Sequence, residues 1–402
     1  MFKSLSLKVI IFGFIFTFFS SFGQSYFIGL FNSSIRADLL ISHGQFGTIY
    51  ASATLLSSLV LIWIGKKIDD TNVFRFSLYV IFLLSFACYF FSTINILFLL
   101  FLGIFLLRLS GQGLMSHTAT TTVSRYFNES RGKALSTTWL GLSLAEFIMP
   151  VLIVFLLTIF YWRNIWIIIS LLVLFTLPII SFLFVRNVSL ESRENTNFEE
   201  KNSDKIKSWT REEVIKDYRF YVITLNMLAM PSIATGVFVY QSFITDAKNW
   251  GPYVIAQSFM SYSIMSVITL TLSGIIIDKF NSRKLLIYMN LPLLISAIIL
   301  FSFDSPISAF FFLGFIGICN GLANVLGSSL WAEMYGVKFI GGIKALTTAL
   351  MVFATAAGTA VFGLFIDAGY SINSIATFSA SYILVCLFLL FFIRKKLEPI
   401  YL

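Results

Sequence analysis

Apolar runs of about twenty residues recur along this chain, separated by short polar breaks, and that pattern predicts its architecture. A helix rises ~1.5 Å per residue and a bilayer core is ~30 Å thick, so each run is long enough to span. The runs cover residues 8–31, 46–66, 74–94, 95–118, 134–157 and 164–185, then 218–242, 253–277, 284–303, 307–331, 342–366 and 371–393. The third and fourth are nearly continuous through Ser92 to Ile96, which leaves their boundary loosely set. The first run reaches about Leu30, too long for a signal-peptide core, and has no small-x-small cleavage site, so it is expected to be retained as a helix. Only residues 187–217 form a long hydrophilic segment. Charges of both signs alternate there with Asn and Ser, a composition that cannot bury a core and reads as a linker. It divides a first half, residues 1–186, from a second, 218–402. The linker ends in Thr210-Arg-Glu-Glu213, the capping-box pattern, predicting a short interfacial helix with Trp209, Val214 and Tyr218. The expected fold is an all-α membrane protein with twelve transmembrane helices in two six-helix bundles.

Composition agrees. The chain is 58% hydrophobic and only 12% charged, whereas soluble domains run near half apolar and a quarter charged, so most of its surface must face lipid. The three cysteines, Cys88, Cys319 and Cys386, sit singly inside apolar runs, and the two histidines, His43 and His117, are far apart. Neither a disulfide framework, a metal site nor a cofactor is supported. The net charge of +9 is spread between apolar runs, where it reports topology rather than a nucleic-acid partner. With the N-terminus inside, alternate loops collect Lys66, Lys67, Arg75, Arg125, Arg131, Lys133, Lys279, Arg283, Lys284, Lys338, Lys344 and Arg394 to Lys396; the others hold Arg36, Arg163 and Lys248. That asymmetry places both termini in the cytoplasm of an inner (plasma) membrane protein.

The halves repeat each other. Gly65-Lys-Lys-Ile-Asp69 closes the second run and Gly274-Ile-Ile-Ile-Asp278 the eighth; Lys133-Ala-Leu-Ser-Thr137 resembles Lys344-Ala-Leu-Thr-Thr348. The eighth-run segment continues Lys279-Phe-Asn-Ser-Arg283-Lys284, and the whole resembles the Gly-x-x-x-Asp-Arg/Lys-x-Gly-x-Arg/Lys-Arg/Lys loop of the major facilitator superfamily, with Asn281 in place of Gly. The first copy departs further, with Asp70 where a base is expected and Asn72 where Gly is. Arg125 to Ala134 and Trp331-Ala-Glu333-Met-Tyr-Gly336 are similar to the loops after helices 4 and 10 of that family. The resemblance implies two bundles with alternating access, and a latch from Gly65, Asp69, Arg125, Gly274, Asp278, Arg283 and Glu333. In physical terms, glycine permits close helix approach, and an aspartate beside the next helix can take its free N–H groups or pair with a base across a seam.

Two charges fall near mid-span, Arg108 in the fourth run and Glu146 in the fifth. Such a group costs at least ~2.5–3.5 kcal/mol and needs a partner or a function. Arg108 lies 20 residues before Asn128 and Glu146 18 after it, so both reach similar depth on antiparallel neighbours and an ion pair is expected. Two uses remain open: a structural pair, or Arg108 binding an anionic substrate while Glu146 takes up the coupled proton. Gln112 follows Arg108 on the same helical face; Gln24, Ser25 and Tyr26 interrupt the first run, Asn226 and Gln241 the seventh, and Asn320 and Asn324 the tenth. In the resembled family helices 1, 4, 7 and 10 line the cavity, which implies a shared substrate site. The Gly-Pro and Gly-Gly antiporter pattern of helix 5 is absent, lowering a drug/proton antiporter. Helix 8 has no internal base and helix 11 only Lys344, so the oxalate/formate pattern of buried cations is unmet, although organic-anion carriers are nearest in appearance. No Gly-x-x-x-x-Gly-Lys-Ser/Thr is present and neither histidine joins a nucleophile–base set, against an ATPase or an enzyme. The expectation is a secondary transporter of a small organic anion with protons, acting as a monomer. The alternatives are an efflux carrier for hydrophobic or cationic compounds and a sensor that binds without transport.

Overall fold

The computed structural model describes residues 4–127, 131–186, 188, 207–336 and 338–399. Among them twelve helices are long and apolar enough to cross a membrane. They are α1 Leu5–Gly29, α2 His43–Asp70, α3 Val73–Ser92, α4 Leu97–Tyr126, α5 Arg131–Ile159 and α6 Trp162–Val185, then α7 Tyr218–Val239, α8 Pro252–Phe280, α9 Ser282–Ser302, α10 Pro306–Tyr335, α11 Ile340–Asp367 and α12 Ile372–Ile393. The largest departure from the predicted spans is α4, which runs eight residues past 118. Its polar end stays helical because Thr118 and Thr120 return their hydroxyls to the carbonyls of Leu114 and Ser116 instead of competing with the helix (2.7 and 2.8 Å). Most of the predicted linker, Asn187 and 189–206, lies outside the described residues. Its capping box forms as expected: Glu213 N–H and Thr210 N–H each bond to the other residue's side chain, starting the helix Arg211–Lys216.

The chain divides into two compact units. One holds residues 1–194 with Phe238–Phe243, and the other Asn195–Val237 with Ile244–Leu402. Lipid supplies no hydrophobic drive between helices, so close packing at small residues holds each unit. In the first, Gly141 of α5 lies against the Phe14 carbonyl of α1. Ser85 of α3 and Ser170 of α6 each donate to the other's carbonyl (3.1 and 2.8 Å). In the second, Gly317 of α10 lies against the Tyr262 carbonyl of α8, and Gly358 of α11 against that of Ser232 in α7. One end of the second unit is closed by a core that includes Val214, Phe220, Leu330, Trp331 and Tyr335. The three cysteines are free and buried.

Ion pairs sit at helix ends. Arg163 bonds Asp38 in the short helix Asn32–Leu39 and the Ser92 carbonyl (2.9 Å), tying three connections of the first unit. Lys248, 3% exposed, bonds Asp304 (2.6 Å) and Asn373 (3.3 Å), tying three connections of the second.

Asn281, standing where the family loop has glycine, adopts φ 67° and ψ 150°. That region is nearly reserved for glycine and costs other residues ~1–3 kcal/mol. Asn281→Gly is therefore expected to raise stability by about 1 kcal/mol despite glycine's greater unfolded-state entropy, read as a higher thermal midpoint in detergent; a lower midpoint would refute the strain. The Tyr161 hydroxyl, and then the Arg163 guanidinium, hold the Asp38 carboxyl below the usual carboxylate range. A lowered folded value stabilises above the unfolded value of ~4 and is lost as pH falls through the folded one. Wild type should therefore melt above Asp38→Asn at neutral pH and converge with it in acid. Parallel melting curves would show that the charge contributes nothing.

Candidate functional site

The first unit's interior is organised by two irregular helices that touch. α1 is α-helical to Phe19, tightens to a 3-10 turn over Ser20–Gly23, passes through extended Gln24 (φ −81°, ψ 152°) and resumes at Ser25–Gly29. Beside it α4 widens into π-helical bonding over Arg108–Met115. Wide turns of this kind are rare and concentrate at functional sites. The two meet backbone on backbone. A Cβ on Gly23 would strike the Leu107 carbonyl and the Gln112 N–H, and one on Gly111 would lie 2.6 Å from the Gly23 nitrogen.

Arg108 joins them. It is 3% exposed, and its Nη1 donates to the Gly23 carbonyl (3.1 Å) and to Ser25 Oγ (3.2 Å). Tyr50 of α2 donates to the same Ser25 oxygen (2.9 Å), and its ring centroid lies 5.5 Å from the guanidinium carbon. Arg108 Nε is buried without a hydrogen-bond partner. The ion pair with Glu146 expected from depth is not formed: equal depth leaves azimuth free, and the guanidinium turns to the break in α1. Glu146 is half-buried on α5 and makes no ion pair among the described residues; Tyr26 is within its electrostatic reach.

The other polar residues divide by surroundings. Gln24 and Gln112 are half-buried, and their side-chain amides make no hydrogen bond among the described residues. Tyr26 is 2% exposed, and its carbonyl accepts from Gln241 Nε2 (2.8 Å), which also bonds the Phe238 carbonyl (2.8 Å). Gln241 thus holds backbone, as does Asn32 on the Val239 carbonyl (2.6 Å). In the second unit Asn226 is fully buried, accepting from Asn290 Nδ2 at its carbonyl (2.7 Å) and its side chain (2.9 Å). Asn320 donates to Ser266 (2.8 Å), while Asn324 is exposed and returns to the Asn320 carbonyl (2.9 Å).

The predicted latch residues also separate. Gly65 admits the His117 ring, whose Nε2 lies 3.0 Å from the Gly65 carbonyl. Asp69 pairs with Arg125, and Asn72, not Asp69, caps α3 by accepting from Phe74 N–H (2.9 Å). In the second unit Arg283 Nε donates to Glu333 (2.5 Å), whose other oxygen accepts the Ser282 N–H (2.8 Å) and so caps α9. Gly274 and Asp278 lie on α8, but their side-chain surroundings fall outside the described residues. Gly23, Gly111, Tyr50 and Asn290 were not singled out from sequence. A Gly-x-Gly beside a mid-span arginine is the one signal that could have found Gly111.

The family model described as Major Facilitator Superfamily matches residues 13–256. The chain belongs to this superfamily. Its fold is also that of solved members. A bacterial homolog of the human lysosomal transporter Spinster, inward-facing and unoccupied, matches with a TM-score of 0.72 at 12% identity over 99% of this chain and 98% of that one. Its occupied form matches with a TM-score of 0.72 at 13% identity over 97% and 96%. The nucleoside transporter NupG matches with a TM-score of 0.71 at 12% identity over 98% and 100%. None of the curated proteins matches the chain in sequence. Major facilitator proteins are transporters and generally not enzymes, and this one is a multi-pass membrane transporter.

Gly23→Ala and Gly111→Ala each force backbone apart where two helices touch, an overpacking cost of ~1–3 kcal/mol. Both should lower the thermal midpoint and the monodisperse yield in detergent. Gly132→Ala, where a Cβ meets nothing within 4 Å, should not. Unchanged yield for all three would mean the contact at the break is not needed.

Proposed function

We propose that this protein is a secondary active transporter that carries a small organic anion, a carboxylate, together with protons by alternating access. We place it in the inner membrane with both termini cytoplasmic. One observation carries the anion reading: the buried Arg108 guanidinium has neutral acceptors and an empty Nε–H, and meets no carboxylate of the chain among the described residues. A cation at this depth is costly, and a carboxylate docked on the free edge of the guanidinium would supply both the missing charge and the missing acceptor. Gln24 and Gln112, with free amides, are suited to hydrogen-bond the rest of such a solute.

Glu146 supports the coupling. No other acid lies near mid-span, and Glu146 forms no ion pair among the described residues. With a substrate anion bound, Arg108 supplies one positive charge against two carboxylates, so the site is neutral only when Glu146 is protonated. Substrate and proton then move as a neutral set. A second reading takes the same amides as the main contacts: Gln24 and Gln112, half-buried with free amides, suit a neutral polar solute, and NupG, of the same fold, is a nucleoside transporter. Efflux of hydrophobic compounds draws no support from a site holding a lone guanidinium.

Uptake into proteoliposomes with an internal pH dye, screened over carboxylates, neutral analogues and nucleosides, tests this. The expected result is proton entry with one carboxylate, driven by a pH gradient and insensitive to membrane potential. Folded Arg108→Lys should lose at least tenfold in uptake, because an ammonium cannot reproduce the fork. Glu146→Gln should still bind and exchange the substrate but lose proton-driven accumulation. Carboxylate uptake unchanged in folded Arg108→Ala would sink the anion reading, and nucleoside uptake without proton movement would favour the second.

A further inference from the structure

The corner of the second unit where α7 begins and α12 ends carries a basic cluster that the transport site does not use. After α12 the backbone tightens to a 3-10 turn over Arg394–Lys396 and folds back. Leu397 is 4% exposed and packs into the core that includes Val214, Phe220 and Leu390. Arg219 clamps the fold-back: Nη1 donates to the carbonyls of Lys396 (3.2 Å) and Glu398 (2.8 Å), while Nε is held by Asp217 (2.9 Å). Arg283 adds a bond to the Leu397 carbonyl (3.1 Å). Three consecutive basic side chains are thereby presented, exposed, from a fixed backbone at the rim of the helices.

Exposed aromatic rings stand beside them. The Arg394 guanidinium lies 4.0 Å from the Phe391 ring and Lys396 Nζ 6.0 Å from that of Tyr218. Phe388, Phe392, Tyr218 and Tyr221 are each more than half exposed on the two helices that border this corner. Aromatic rings of this kind sit at headgroup height, where long basic side chains place their charge at the lipid phosphates. Lys216 adds a fourth exposed cation, and the nearby acids are largely spent, Asp217 on Arg219 and Glu213 on Lys207. Among the described residues of these two segments, Glu212 and Glu398 remain against the four cations.

We infer that this corner is a binding site for the phosphate headgroup of an anionic phospholipid in the adjoining leaflet. Bases that serve topology alone need no clamped turn and no rings beneath them; Lys344 on α11, exposed and stacked on no ring among the described residues, is that case. Each basic residue at an anionic surface contributes ~1 kcal/mol, about fivefold in affinity.

The full chain is placed in nanodiscs of phosphatidylcholine alone or mixed with phosphatidylglycerol, and read by native mass spectrometry for retained lipid and by thermal midpoint. Wild type should retain phosphatidylglycerol and melt higher with it. The R394Q/K395Q/K396Q variant should bind it on the order of a hundredfold more weakly while matching wild type in phosphatidylcholine, and K344Q should behave as wild type. If the triple variant already melts lower in phosphatidylcholine, K395Q alone carries the test with about a fivefold loss. Equal retention by wild type and variant, or an equal loss in K344Q, would overturn the site. Stabilisation by free inorganic phosphate matching that of the lipid would overturn the lipid as its occupant.

Discussion

The hydrogen bond from Arg108 to the Gly23 carbonyl joins the two irregular helices on which the first unit is built. In hydrocarbon no water can satisfy a backbone group released by a helix break, and each orphan costs several kcal/mol. The break at Gln24 frees acceptors, and the guanidinium needs them. Neither feature is tolerable at this depth without the other. Glycine at 23 and 111 lets the backbones come near enough for the exchange, so the break, the wide turn, the buried cation and the two glycines form one unit of design. What Arg108 does not obtain from that exchange is a counter-charge among the described residues, and the proposed anion site rests on that.

The two units carry related loop ties with different surroundings. In the first, Asp69 and Arg125 are 54% and 32% exposed, and Asn72 does the capping. In the second, Arg283 and Glu333 are 19% and 21% exposed, and one carboxylate both pairs with the base and caps the next helix. Exposed pairs contribute ~0–1 kcal/mol, whereas charge-assisted bonds in drier sites are roughly twice as strong as neutral ones. The second tie is accordingly the firmer, and the C-terminal fold-back that also engages Arg283 adds to it.

The twelve spans were legible because spanning asks only for a length of apolar chain, a property independent of tertiary contacts. The capping box at Thr210 was legible for a related reason, since all its partners lie within three residues. Azimuth was not. Depth along antiparallel helices put Arg108 opposite Glu146, but which way each side chain points depends on the wide turn in α4 and the break in α1, which hydropathy does not register. Gln24, Ser25 and Tyr26 were visible as polar interruptions, yet nothing local says that the backbone itself lets go there. The asparagines show the same limit: Asn226 and Asn324 look alike in sequence, and burial alone makes one a fixed partner of Asn290 and leaves the other exposed.

The wide turn has a mechanical consequence beyond its own residues. Each residue advances an α-helix by about 100°, so a stretch bonded with a longer step offsets the phase of everything that follows it. His117 and Arg125 lie beyond that stretch on α4, and the one sits on Gly65 while the other meets Asp69. Were α4 to relax to regular winding between Arg108 and Met115, both contacts would rotate out of register together. The positions of His117 and Arg125 at the loop are thus set by the winding of the same stretch that begins at Arg108.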